Sequence, residues 1–268
     1  MGKDKNIMKR ISQLFVSAVF LASSTLGLAA VKTKTVEYKK GKDTFEGVLV
    51  YPDNVKGKVP GVLMIHNWMG VSDETKKQAT RLAELGYAVF AADIYGKGVR
   101  PKNAEEAGKL ATTYRGGDRK LFRERLQLGL ETLRGQKEVD TSKVLAVGYC
   151  FGGTGVIELA RAGADVKGVV SFHGGLDSPA PLDGKNIKTK VLALHGADDP
   201  YVKAEDLAAF EAEMRDNKVD WELVKYGNAV HSFTEVGAGD DNSKGAAYNA
   251  AADARSFEAF KAFAKASL

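Results

Sequence analysis

Continuous apolar runs alternate along the chain with stretches whose apolar positions recur every three or four residues, so strands and helices are predicted in turn. Thr33–Tyr38 and Thr44–Tyr51 alternate around Lys-Gly-Lys-Asp, the pattern of an antiparallel hairpin. Gly61–His66 is a continuous apolar run, as in strands buried on both faces, and Tyr87–Asp93 reads as a second such strand. Between them Asp73–Leu85 is amphipathic and stops at Gly86. Ile94–Gly117 shows no regular period. Asp118–Arg134 places Phe122, Leu126, Leu130 and Leu133 at helical spacing. The alternation continues with strand Lys143–Gly148, helix Phe151–Arg161, strands Val166–Phe172 and Lys190–His195, helix Ala204–Asn217, strand Trp221–Tyr226, a Gly-rich loop and helix Ala246–Ala264. Strands alternating with helices predict an α/β fold: a mostly parallel sheet with helices on both faces and an N-terminal antiparallel hairpin. No linker or repeat divides it, so residues 31–268 are expected to form a single domain.

The first 30 residues fit a different purpose. Lys3, Lys5, Lys9 and Arg10 precede a mostly apolar run, Ile11 to Leu28, that ends in small residues around Ala29 and Ala30. This is the pattern of a cleavable signal peptide, so the protein is expected to be exported to the periplasm or secreted. The full chain has 268 residues and a formal charge of +5. Removing residues 1–30 takes away four positive charges and Asp4, which leaves about +2. The remaining Lys and Arg are scattered among acids, so no nucleic-acid partner is expected, and no later apolar run is long enough to cross a membrane. A composition 44% hydrophobic and 27% charged is that of an ordinary globular chain.

Chemistry in such a sheet collects beyond the carboxyl ends of the strands. That rim gathers His66–Met69, Asp93, Cys150, His173, His195–Asp199 and the loop at His231. Cys150 is the only cysteine, so it has no disulfide partner within the chain. It stands in Gly148-Tyr149-Cys150-Phe151-Gly152, between a strand and a helix, with the spacing and context of the G-x-S-x-G nucleophile elbow. A nucleophile on so sharp a turn leaves no room for side chains two residues to either side, hence Gly148 and Gly152. The helix that starts at Phe151 turns its N–H groups and dipole towards the sulfur and favours negative charge there. A dinucleotide fingerprint would need glycine where Cys150 stands, so no such cofactor is expected.

A thiol nucleophile needs a base, and the base an orienting acid. In hydrolases with this elbow the order is nucleophile, acid, histidine, and His231 in GNAVHSF is late enough for the last place. Its rival His195 ends an apolar strand. Asp198 and Asp199 both follow that strand; Asp199, before Pro200, is favoured. The oxyanion hole is expected to combine the backbone N–H groups of Phe151 and Trp68. His66 and Asn67, beside Trp68, are expected to contact substrate or brace these groups. His66 and His173 lack the company of further ligands at metal spacing, so no metal is expected.

Gly148-Tyr149-Cys150-Phe151-Gly152-Gly153, the Asp199–Val202 stretch, Gly227 to Phe233 and Ala92–Tyr95 together resemble the dienelactone hydrolase family. The resemblance implies an α/β-hydrolase fold, a Cys150–Asp199–His231 triad and hydrolysis of a lactone or ester through a thioester acyl-enzyme. It also implies a glutamate where this chain has Asn67, and arginines for a substrate carboxylate, for which Arg115 and Arg119 are the candidates. The expected protein is therefore a carboxylic-ester or lactone hydrolase, a monomer without cofactor. The alternative is a non-catalytic binding protein on the same fold, since a fold does not by itself grant activity.

Overall fold

A computed structural model describes residues 30–268, so the expected signal segment lies outside the described residues except for Ala30. Strands β1 (Val31–Lys40) and β2 (Asp43–Pro52) form the hairpin, paired from Val31 opposite Pro52 to Lys40 opposite Asp43. β2 then runs antiparallel to β4 (Ala88–Ala92). From β4 the sheet is parallel: β3 (Val59–Ile65), β5 (Val139–Tyr149), β6 (Gly168–Phe172), β7 (Lys190–Gly196) and β8 (Trp221–Tyr226), in the order β1-β2-β4-β3-β5-β6-β7-β8. The expected fold class is the one observed.

Two cores follow from the apolar runs. Successive residues of a strand face opposite sides, so Leu63 and Ile65 join one core and Val62 and Met64 the other. The first core packs under α3 (Lys120–Arg134), α4 (Phe151–Arg161) and α5 (Ala204–Asp216), through Phe122, Leu126, Ile157, Phe210 and Met214. The second packs under α1 (Asp73–Ala83) and α6 (Ala250–Ser267), through Ala79, Leu82, Phe260 and Phe263. Among the described residues no helix is long and apolar enough to cross a membrane.

Several elements depart from expectation; β5, for one, begins at Val139 instead of Lys143. The stretch Ile94–Gly117, without period in the sequence, contains α2 (Ala104–Arg115). It begins where the Asn103 side chain accepts the Glu106 N–H at 3.0 Å, and it buries only Ala107 and Tyr114. With so small a buried face there is no apolar stripe to read. The last helix starts at Ala250 instead of Ala246, because the Asn249 side chain caps it by accepting the Ala252 N–H at 3.0 Å. Ala246 lies opposite His231 in a short bridge, in which the His231 carbonyl accepts the Ala247 N–H at 3.0 Å. The chain before α6 is thus used to fix His231.

A charged network fills the space between α3, α4 and α5. Arg161 and Glu158 are fully buried; Arg161 binds Glu158 at 2.9 Å and Glu213 at 2.6 Å, and Arg119 binds Glu158 at 3.0 Å. Each of these charges has a partner of opposite sign, which burial requires.

Candidate active site

Cys150 caps α4 with φ 54° and ψ −114°, a conformation that side chains rarely adopt. Neighbouring backbone enforces it: the Cys150 N–H donates to the Phe172 carbonyl at 3.0 Å and the Cys150 carbonyl accepts the Thr154 N–H at 3.2 Å. The turn closes so tightly that a Cβ at Gly148 would strike the Gly152 carbonyl, and one at Gly152 would strike the Ile65 carbonyl. Both glycines are therefore demanded by close approach.

The turn lifts the sulfur to His231. Nε2 of His231 stands 3.0 Å from Cys150 Sγ, and Nδ1 stands 2.8 Å from Asp199 Oδ2. Asp199 is buried beyond the end of β7 and its other oxygen accepts the Tyr201 N–H at 2.8 Å, which fixes the carboxylate plane. Burial works against a charged imidazole at His231. The charge on the Cys150 sulfur and the hydrogen bond to Asp199 outweigh it, and its pKa stands well above the ordinary histidine value. The arrangement can hold a proton on His231 beside a thiolate and release it to a leaving group.

The other predicted residues take different places. Among the described residues, the N–H groups of Phe151 and Trp68 meet no protein acceptor, and the Trp68 carbonyl accepts the Tyr95 hydroxyl at 3.0 Å. His66 is turned into the protein. It is buried, with Nδ1 2.6 Å from the Asn67 carbonyl and Nε2 accepting the Ile94 N–H at 3.2 Å. Burial pushes its pKa down to about 4, so it is neutral. Its ring stacks on Phe151, 5.8 Å between centroids, and supports the elbow from below. Asn67 is also buried, its Nδ2 donating to Glu235. His195 is buried at the end of β7, and burial lowers its pKa. Arg119 is buried and bound to Glu158 and Asp177, and Arg115 also meets Asp177, at 3.1 Å. Neither arginine is a free cation waiting for a carboxylate. Among the described residues no three His, Cys, Asp or Glu side chains cluster to hold a metal.

Sequence reasoning gave no role to three neighbours of the site. Tyr201 lies edge-on to His231, 5.4 Å between centroids. His173, expected on the rim and set aside as a metal ligand, lies edge-on to His231 at 5.4 Å and shares a 2.7 Å hydrogen bond with Thr234. Glu235 accepts from Asn67. An acid two residues beyond His-Ser-Phe was the visible signal for the last; its partner lies 168 positions away.

Known proteins bear on this geometry. The sequence model of the dienelactone hydrolase family matches residues 45–268. The chain is similar to the crystal structure of a dienelactone hydrolase-like promiscuous phosphotriesterase from metagenomic libraries, with 41% identity and a TM-score of 0.83 over 88% of this chain and 99% of that one. It is similar to a solved protein named m3DLH, with 38% identity and a TM-score of 0.85 over 90% of this chain and 100% of that one. A probable 2-oxo-3-(5-oxofuran-2-ylidene)propanoate lactonase of Bradyrhizobium is 27% identical over 68% of this chain and 76% of its own. The chain belongs to the dienelactone hydrolase family, with the α/β-hydrolase fold and the hydrolase character of that family.

Proposed function

We propose that the protein hydrolyses small carboxylic esters or lactones through a thioester on Cys150. The observation that carries this reading is the relay Cys150–His231–Asp199, with 3.0 Å and 2.8 Å between successive partners. The Cys150 thiolate attacks the carbonyl carbon and forms a C–S bond. The carbonyl electron pair moves to oxygen, where the N–H groups of Phe151 and Trp68 stabilise it. As the tetrahedral centre collapses, the C–O bond to the alcohol breaks and His231 gives its proton to the leaving oxygen. Water then attacks the thioester, His231 takes its proton, and the acid departs as the thiolate returns. Asp199 holds the imidazole in orientation throughout.

The substrate class is read from the rim. Trp68 (36% exposed), Tyr201 (62%) and Val236 (67%) stand on segments that flank the relay, and both candidate arginines are engaged elsewhere. An uncharged ester or lactone with apolar substituents fits better than one bearing a carboxylate. Steady-state assays with p-nitrophenyl acetate and a neutral γ-lactone test this. Hydrolysis that disappears in Cys150→Ala supports the reading; full activity in that variant overturns it.

A second reading rests on the 41% identity to the phosphotriesterase. The same thiolate would attack phosphorus of a neutral phosphate triester and expel its best leaving group. Release of nitrophenol from paraoxon, dependent on Cys150 and His231, would support it. We further propose that residues 1–30 direct export and that the mature enzyme is a monomer. N-terminal sequencing of exported protein, with a first residue near Ala30 or Val31, and its elution on a sizing column test these two points.

A further inference from the structure

The turn that carries Trp68 is held from across the site. Asn67 Oδ1 accepts the Met69 N–H at 2.9 Å, and the Asn67 carbonyl accepts the Gly70 N–H at 3.2 Å. These bonds close residues 67–70 into a turn. The other end of the same side chain, Nδ2, donates to Glu235 Oε1 at 3.0 Å.

Glu235 is itself well anchored. Its N–H donates to the Ser232 carbonyl at 2.9 Å. The preceding carbonyl, of Thr234, accepts from Gln78 Nε2 at 3.3 Å, and the Thr234 hydroxyl meets His173 Nε2 at 2.7 Å. One carboxylate therefore ties the turn presenting the Trp68 N–H to the segment presenting His231. Beside the tie lies a small cavity whose lining includes Met64, Asn67, Gln78, Tyr149 and Glu235, and Gln78 Oε1 is buried without a partner. Burial there pushes the pKa of Glu235 up from the ordinary glutamate value. A glutamate used only for solubility would not occupy such a place, because withdrawing a carboxylate from water is costly.

We propose that Glu235 is a positioning residue for the hydrolysis: through Asn67 it fixes the turn at residues 67–70 so that the Trp68 N–H meets the oxygen on which charge develops. The inference rests on the reading of Cys150 and the oxyanion donors given above. It adds an acid that touches neither substrate nor sulfur and acts only through the loop. Oxyanion donors work by being preorganised, so a freed turn lowers turnover more than ground-state binding.

The test compares the unaltered protein with Glu235→Ala, Glu235→Gln, Asn67→Ala and the Glu235→Ala/Asn67→Ala pair. Turnover of p-nitrophenyl acetate and the mass of acylated Cys150 are followed together. Glu235→Ala is expected to lower kcat by about tenfold or more while KM stays within about twofold. Glu235→Gln is expected to restore most of the loss, because an amide oxygen accepts the same bond. Asn67→Ala should match Glu235→Ala, and the pair should be no worse than either alone. Unchanged kcat in Glu235→Ala, multiplied losses in the pair, or a Gln variant as slow as the Ala variant would overturn the proposal while leaving Cys150 acylation intact. Failure of the unaltered protein to acylate Cys150 would instead overturn the underlying reaction, and this proposal with it.

Discussion

At Cys150 the chain accepts a strained backbone to present one sulfur. The strain was legible because glycines flank the cysteine at the two places where close approach forbids a side chain. His231 and Asp199 were legible from chain order and from the Asp-Pro turn. Glu235 was not, since nothing local ties it to a residue 168 positions away. Two predictions belong at this scale. Asp199→Asn removes the charge that holds the imidazole and is expected to reduce kcat by about a hundredfold or more, measured on p-nitrophenyl acetate. His231 keeps its proton beside the sulfur, against burial, because of the charge on Cys150 and the bond to Asp199. His231→Ala should therefore slow the alkylation of Cys150 by iodoacetamide by about tenfold or more. Equal rates in the two proteins would mean that the imidazolium does not support the thiolate.

Among the elements, the strands were the easiest to read, because a run buried on both faces has almost no polar residue to confuse the pattern. α2 was hidden by its own exposure, and the start of α6 by an alanine-rich stretch that would be helical were it not bridged to His231. The buried charges between α3, α4 and α5 were equally invisible. Glu158 and Arg161 look in the sequence like an ordinary surface pair three residues apart, and only packing shows that helices cover them. Arg161→Ala would leave Glu158 and Glu213 without their shared cation and is expected to cost about 3–5 kcal/mol in urea unfolding. Arg161→Met combined with Glu158→Gln and Glu213→Gln should recover a large part of that loss. If the single change costs under about 1 kcal/mol, the network does not hold the helices together.

For the whole molecule, the buried neutral histidines set how stability responds to acid. Burial lowers His66 to about 4 and His173 well below its ordinary value of 6.5. Between about pH 6.5 and 4 the unfolded chain binds protons at these positions that the native protein refuses. Stability must therefore fall as pH drops through that window, by about 1 kcal/mol per pH unit for each histidine, and these two have no effect above it. His231 works in the opposite sense: its raised pKa stabilises below the ordinary histidine value, and the contribution is lost as pH rises through the folded pKa. Urea midpoints at about pH 7 and about pH 5 check the balance, with the lower midpoint expected at the acid end. A higher midpoint at the acid end would show that the buried histidines are protonated in the native state. The fold class was legible in the sequence because the alternation of strands and helices extends over the whole sheet. The site was legible only where chemistry constrains the backbone.

The measurement that bears most directly on this account is the mass of the protein quenched in acid within the first turnover of p-nitrophenyl acetate, followed by peptide mapping. The account predicts an added acetyl group on the peptide holding Cys150, absent in Cys150→Ala and persistent in His231→Ala. Turnover without any adduct on that peptide, undiminished in Cys150→Ala, would contradict it.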